Sequence, residues 1–283
     1  MPDLTTETSL RELCDVHETD RLGPYIRESC QRWPYTWYVA ASELRARQIT
    51  TVLGNLWHLL NPALTVAVYY VIFGLLLKVN RGVDNFILFL TIGLFTFAAS
   101  QRAITAGANS VVANLGLIKA IKFPRIILPA TTTLTETLST ASTYAIIFVV
   151  ALLTGQSPQW TWVVVVPLFL VQAVFNFGTA TAMARLTTHF RDTTQILPFV
   201  FRLLLYGSGV IFNLSAYAEG NKMIEIIFAL NPFYGFVTMT RWAVMGDNNV
   251  STLMVAATTL TSVLMIVFGT LWFRRGEEGY ARD

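Results

Sequence analysis

Apolar and charged positions segregate along this chain into long separate blocks. Pro62–Leu77 contains no charged residue, and neither does Thr137–Ala184, which is interrupted only by the turn-forming Gly155-Gln156-Ser157-Pro158-Gln159. A bilayer core of ~30 Å takes roughly 20 helical residues at about 1.5 Å each, and runs of this kind meet that requirement. The pattern predicts six transmembrane helices, near 62–78, 86–108, 126–153, 161–184, 194–213 and 251–273. Between the fifth and sixth, the segment 214–250 is too polar for one crossing but holds two short apolar pieces, Met223–Leu230 and Phe233–Val244, separated by Asn231-Pro232. This reads as an extracytoplasmic, re-entrant helical hairpin rather than a further pair of spans.

Upstream of the first span the pattern changes. Leu44, Leu56, Trp57 and Leu60 recur at helical spacing, with Glu43, Arg45, Arg47, Gln48 and Asn55 between them. Residues 34–61 therefore read as an amphipathic helix in the membrane interface; the alternative, a helix packed on a soluble domain, lacks a soluble domain of sufficient size. Residues 1–33 form an acidic cytosolic tail, 62–273 the transmembrane domain, and 274–283 a second cytosolic tail. The acidic residues before Trp33 are the opposite of a basic signal-peptide start, so the first tail is expected to be retained.

Composition reinforces the membrane class: 54% of the 283 residues are hydrophobic and 13% charged, with a mean hydropathy of +0.53. The formal charge of +3 does not point to nucleic acid, because lysines and arginines sit at separate loop ends and form no continuous basic face. Their placement instead sets orientation. Lys119, Lys122 and Arg125, then Arg185 and Arg191, then Arg274, Arg275 and Arg282 all fall on the side of the N-terminal arginines, against only Lys78, Arg81, Lys222 and Arg241 on the other. The positive-inside rule then predicts both termini in the cytosol of a multi-pass inner-membrane protein.

Several chemistries are excluded. Cys14 and Cys30 have no partner at metal-ligand spacing, and no zinc motif or nucleophile elbow occurs, so neither a metal site nor a catalytic residue is expected. An integral-membrane transferase would need clustered carboxylates or histidines at one face, whereas Asp84, Glu219, Glu225 and Asp247 are scattered. No Gly-rich phosphate loop is present, so the chain is expected to bind no ATP itself.

A series of short motifs resembles the ABC-2 class of export permeases, in particular those that export polysaccharides such as O-antigen and teichoic acid. It runs from Ser42-Glu43-Leu44-Arg45-Ala46-Arg47 and Leu53-Gly54-Asn55-Leu56-Trp57 through Leu117-Ile118-Lys119, Phe123-Pro124-Arg125 and Phe190-Arg191-Asp192 to Leu230-Asn231-Pro232-Phe233 and Thr240-Arg241-Trp242. Each is weak alone; their order along residues 35–247 is specific. Within the class the chain is most similar to actinobacterial and mycobacterial members that export lipid-linked galactan for the cell wall, although its acidic tail is longer than the class minimum. The resemblance implies a homodimer with two nucleotide-binding ATPase subunits that hold ATP and Mg, a pore along the dimer axis, and a lipid-linked polysaccharide as substrate. An ABC-2 permease for drugs or small lipids is the nearest rival.

Candidate site residues follow. Leu117, Ile118, Lys119 and Lys122 form a short amphipathic element between spans two and three, which in similar permeases couples to the ATPase; Arg191 and Asp192 form either a second contact or a local helix cap. Tyr69, Phe73, Phe95 and Tyr144 are candidate pore aromatics able to stack on the apolar faces of sugars, or else packing residues. The hydroxyl-rich third span fits close helix packing and a wet pore wall equally well. Arg102, Glu136 and Arg202 fall inside predicted spans, on the order of 10 to 15 Å deep at 1.5 Å per residue, and are expected to meet at one level with Glu136 paired to one arginine. The second arginine then either attracts a lipid-carrier phosphate or snorkels to the interface.

Overall fold

A computed structural model describes residues 31–46, 56–77, 83–121, 123–211, 222–247 and 250–277, together with positions 23, 27, 29 and 213. Among these residues every regular element is helical. In chain order they are α1 (Trp33–Ala46), α2 (Leu56–Tyr69, continued by a π-helical stretch Tyr70–Leu76), α3 (Phe86–Ala113), α4 (Leu115–Ala120), α5 (Ile127–Leu153), α6 (Val165–His189, preceded by a 3-10 turn Trp160–Val164), α7 (Thr193–Gly207), α8 (Lys222–Leu230), α9 (Pro232–Met245) and α10 (Thr252–Arg275).

Four of these, α3, α5, α6 with its 3-10 turn, and α10, are long and apolar enough to cross a bilayer. They match the second, third, fourth and sixth predicted spans, and with them the chain is a multi-pass membrane protein. The other two predicted spans take different forms. Leu56–Asn61, expected in the interface helix, are continuous with α2, and the helix runs through position 62 to Leu76. The fifth stops at Gly207 instead of continuing to 213: its 15 residues reach about 22 Å, and Ser208–Ile211 turn away as buried, non-helical backbone. Most of residues 1–33, together with 47–55, lie outside the described part.

Burial orders the spans. In its most apolar stretch α3 is 78% buried, against 33%, 33% and 28% for α5, α6 and α10. A helix enclosed on all sides is the central pillar, and helices buried on one side form the wall around it. The outward faces, including Leu153, Val163, Leu170, Leu260 and Leu264, are apolar and suited to acyl chains. Trp33, Tyr35, Trp37 and Tyr38 of α1 are exposed at one end and Trp160 at the other, the amphipathic rings expected at the two interfaces. α1 packs on α5, where the Thr135 hydroxyl donates to Glu43 Oε2 at 3.2 Å.

Local chemistry sets the ends. Asn85 caps α3 by accepting from the Leu88 N–H, and its Nδ2 donates to the Thr154 carbonyl at the end of α5. Ser251 caps α10, Asn231 caps α9, and Gly246 closes α9 at φ +77°. Hydroxyls of the third span do little bridging: Thr131, Thr133 and Thr137 each donate to the carbonyl four residues back, which satisfies them within α5, and Thr135 shares its proton between the Thr131 carbonyl and Glu43 of α1.

The α6–α10 contact is backbone on backbone. A Cβ on Gly178 would lie 2.4 Å from the Met265 carbonyl carbon and the Ile266 nitrogen, and one on Gly269 would meet the Gly178 carbonyl. Close approach through small residues replaces the hydrophobic driving force that helices lack in lipid. We expect Gly178→Ala to lower stability by about 1–3 kcal/mol through overpacking, read as a lower Tm in detergent, while Gly116→Ala, with open space at its Cβ, leaves Tm unchanged. Equal Tm values for the two variants would contradict the packing.

Candidate functional site

The short helix α4 lies at the membrane end formed by the last turn of α3, the first of α5 and the ends of α6 and α10. Its Ile118 is 6% exposed and packs with Val111, Leu128, Ala184 and Phe273, the last fully enclosed. Around this small core the ends are tied together. Arg185 of α6 donates to the Trp272 carbonyl and lies over its ring at 5.0 Å, and the Arg125 N–H donates to Glu277 at 2.6 Å. α4 is thus fixed to four spans at once.

The structure separates two residues that the sequence treats alike. Ile118 points into the subunit, whereas Leu117 is exposed, as are Lys119 and the neighbouring Ile121. Arg191 and Asp192 are exposed at the same end, beside Phe190, which is 59% exposed and meets His189 edge-on. Asp192 occupies the N-cap position of α7, yet its side chain makes no capping bond. Lys122 lies outside the described residues. The outward set is therefore an apolar and basic surface of Leu117, Ile121, Phe190, Lys119 and Arg191 on a rigid base.

The three intramembrane charges do not form one cluster. Arg102 Nε lies 4.0 Å from Glu136 Oε2, with the carboxylate nearly enclosed at 8% exposure and Arg102 at 42%. Arg202 does not join them: it is exposed on α7, its guanidinium 5.8 Å above the Phe199 ring and within electrostatic reach of Tyr69. Depth counted along each span placed all three at one level, but not on one side of the bundle.

The candidate aromatics also divide. Tyr69 and Phe73 are half-buried on α2 and stack at 5.8 Å between ring centroids, with Tyr206 of α7 nearby. Phe95 is 4% exposed inside the core. Tyr144 is equally enclosed and donates to Gln172 Oε1 at 2.6 Å, while Gln172 Nε2 donates to the Thr96 carbonyl and to Ser100 Oγ, both at 2.8 Å. In this subunit, Phe95 and Tyr144 hold α3, α5 and α6 together rather than face an opening.

Arg241, counted among the outer charges, is enclosed in the subunit at 3% exposure. Its Nη1 donates to the Gly209 carbonyl at 2.7 Å, Nη2 to the Val210 carbonyl at 2.8 Å and to the Phe89 carbonyl at 3.1 Å, and the guanidinium lies 3.3 Å over the Phe89 ring. Gly93 makes the room, since a Cβ there would come 2.6 Å from Arg241 Nη2. One signal was visible: Arg241 is the single charge within the apolar piece Phe233–Val244.

Among the described residues, no group of three or more His, Cys, Asp or Glu side chains is arranged to hold a metal. No family model matches the chain. It is similar to the O-antigen export system permease protein RfbA of Klebsiella pneumoniae, 28% identical over 244 residues that cover 84% of this chain and 92% of the relative. A second K. pneumoniae protein of that name is 27% identical over the same shares, and RfbA of Myxococcus xanthus is 26% identical over 69% of this chain and 74% of its own length. The resemblance to ABC-2 polysaccharide-export permeases thus extends over most of the molecule.

The inward and outward faces of α4 predict different fates for one substitution. Ile118→Asp buries a charge and should cost several kcal/mol, on the order of 3 or more, seen as low yield and a depressed Tm of the purified subunit. Leu117→Asp should leave both at wild-type values. Equal loss from the two variants would mean that α4 has no free face.

Proposed function

We propose that the chain is the membrane subunit of an ABC transporter that exports a lipid-linked polysaccharide across the bacterial inner membrane, powered by a separate ATPase. The observation that carries this reading is the similarity, over most of both chains, to permeases named for O-antigen export. Overall similarity to lipid-linked galactan exporters, rather than any one motif, favours a cell-wall galactan or an O-antigen-like glycan as cargo. In this account α2 and α7 complete a set of six spans, and α8 and α9 form a re-entrant hairpin on the outer side. Both termini lie in the cytosol, as the distribution of lysine and arginine requires. The subunit performs no covalent chemistry; two copies assemble with two nucleotide-binding subunits, which hold ATP and Mg.

Coupling uses the surface around Leu117, Ile121 and Phe190, with Lys119 and Arg191 at its rim and Asp192 beside them; Lys122, the next lysine in the sequence, is assigned the same role. A push delivered there moves the ends of α3, α5, α6 and α10 together, because Ile118 and Phe273 pack α4 against them. A packed unit of this kind transmits a rigid-body displacement instead of absorbing it.

Cargo follows the side on which α2 and α7 carry Tyr69, Phe73 and Arg202, two helices with few buried residues among those described. Tyr69, Phe73 and Tyr206 offer rings to the C–H faces of sugars, and Arg202 offers a cation to the phosphate of the lipid carrier. Phe95 and Tyr144 have no part in this face, and the Arg102–Glu136 pair serves the bundle. A charge exposed within a span costs at least about 2.5 kcal/mol in lipid, which favours a wet or ligand-bearing surroundings for Arg202.

The test is transport by vesicles reconstituted with the chain and its ATPase, offered a labelled lipid-linked glycan and, separately, a hydrophobic drug. ATP-dependent movement of the glycan but not the drug is expected, with Arg202→Gln assembling normally but transporting more slowly. Movement of the drug alone would replace this function with small-molecule efflux.

A further inference from the structure

Midway along the spans, where α3, α5 and α6 meet, lies a small cavity lined by Ala99, Thr137, Thr140, Phe169, Gln172 and Asn176. Two buried polar atoms on its wall lack a hydrogen-bond partner among the described residues: Thr140 Oγ1, on a residue 2% exposed, and Asn176 Oδ1, on a residue 4% exposed. Thr140 is an exception within α5. Its neighbours Thr131, Thr133, Thr135 and Thr137 donate to carbonyls four residues back, and Thr140 does not. In hydrocarbon, unsatisfied groups of this kind cost a few kcal/mol each.

The cavity lies within a polar column. Glu136, Thr140 and Tyr144 are spaced four residues apart and so share one face of α5. Glu136 is paired with Arg102, and Tyr144 is bonded to Gln172, but the step between them has no bond. Gln172 uses both amide hydrogens on Thr96 and Ser100, leaving a lone pair on Oε1 beside the one that accepts from Tyr144.

We propose that this cavity is a binding site for one ordered water, which joins Thr140 to the Tyr144–Gln172 half of the column. The room is about 10 Å³, close to the ~10–15 Å³ that a single water needs and too little for a sugar hydroxyl with its ring. The water accepts from the Thr140 hydroxyl and donates to Asn176 Oδ1 and Gln172 Oε1, the two to four partners that such waters have. It ties α5 to α6 at mid-membrane by hydrogen bonds, and Gln172 carries the link on to Thr96 and Ser100 of α3. The proposal is independent of the cargo.

Hydroxyl-radical labelling of the wild-type protein in lipid nanodiscs, with radicals generated from water by an X-ray pulse, tests it directly. Phe169 should be labelled several-fold faster than Phe175, which is sealed in the core, and Phe268, which faces lipid. Replacing Thr140 with Val and Asn176 with Leu should reduce Phe169 labelling to the level of those two. Should the double variant fail to fold, Thr140→Val alone is expected to reduce the labelling in the same direction. Labelling of wild-type Phe169 no faster than that of Phe175 and Phe268 would overturn the water. Unchanged labelling in the variant would also overturn it, since Phe169 would then face an open aqueous path.

Discussion

The guanidinium of Arg241 joins three parts of the subunit at one point: α9, the central helix α3 and the backbone that follows α7. In a bilayer neither a buried cation nor a broken helix end has water to turn to. Here each need meets the other: the carbonyls of Gly209 and Val210, exposed where α7 stops short, accept from the arginine of α9, and Phe89 of the central helix supplies a third carbonyl and a ring. The position of the hairpin, the end of α7 and the absence of a side chain at Gly93 all follow from seating that one group. A lysine, with one ammonium and no planar fork, could not reach the same set of acceptors.

Much of the architecture was legible because bilayer thickness translates directly into run length. The spans at α3, α5, α6 and α10, the two short hairpin helices and the Asn231 cap are local signals of apolar length and turn chemistry, and each emerged near its expected position. What could not be read was which side of a helix faces which neighbour. Depth along a span can be counted from sequence, so Arg102, Glu136 and Arg202 were placed at one level; azimuth cannot, and Arg202 lies on a different face. For the same reason Leu117 and Ile118 looked equivalent, although adjacent helical residues point about 100° apart. Phe95 and Tyr144 looked available for a pore and are core. The fifth span ends early at Gly207-Ser208-Gly209, where Gly209 takes a φ of +61° and its carbonyl accepts from Arg241, about 30 residues away in the chain.

Two mechanical layers result. At the α4 end, a core around Phe273 makes the ends of four spans one body. Along α2 and α7, packing is thinner, and half-buried rings and the exposed Arg202 sit among exposed aliphatic side chains. An exporter driven by a separate motor requires this division: a stiff receiver for displacement, and a compliant wall that can part around a chain of sugars without specific bonds to any linkage. The polar column of α3, α5 and α6 belongs to the stiff part.

Depletion of this chain in its native cell, followed by separate measurement of glycan on the outer surface and lipid-linked glycan inside, tests the export role most directly. The account predicts that surface glycan falls while the lipid-linked form accumulates in the inner leaflet, and that wild-type chain restores both only when its ATPase partner can hydrolyse ATP. Normal surface glycan after depletion, with no lipid-linked intermediate accumulating, would contradict it.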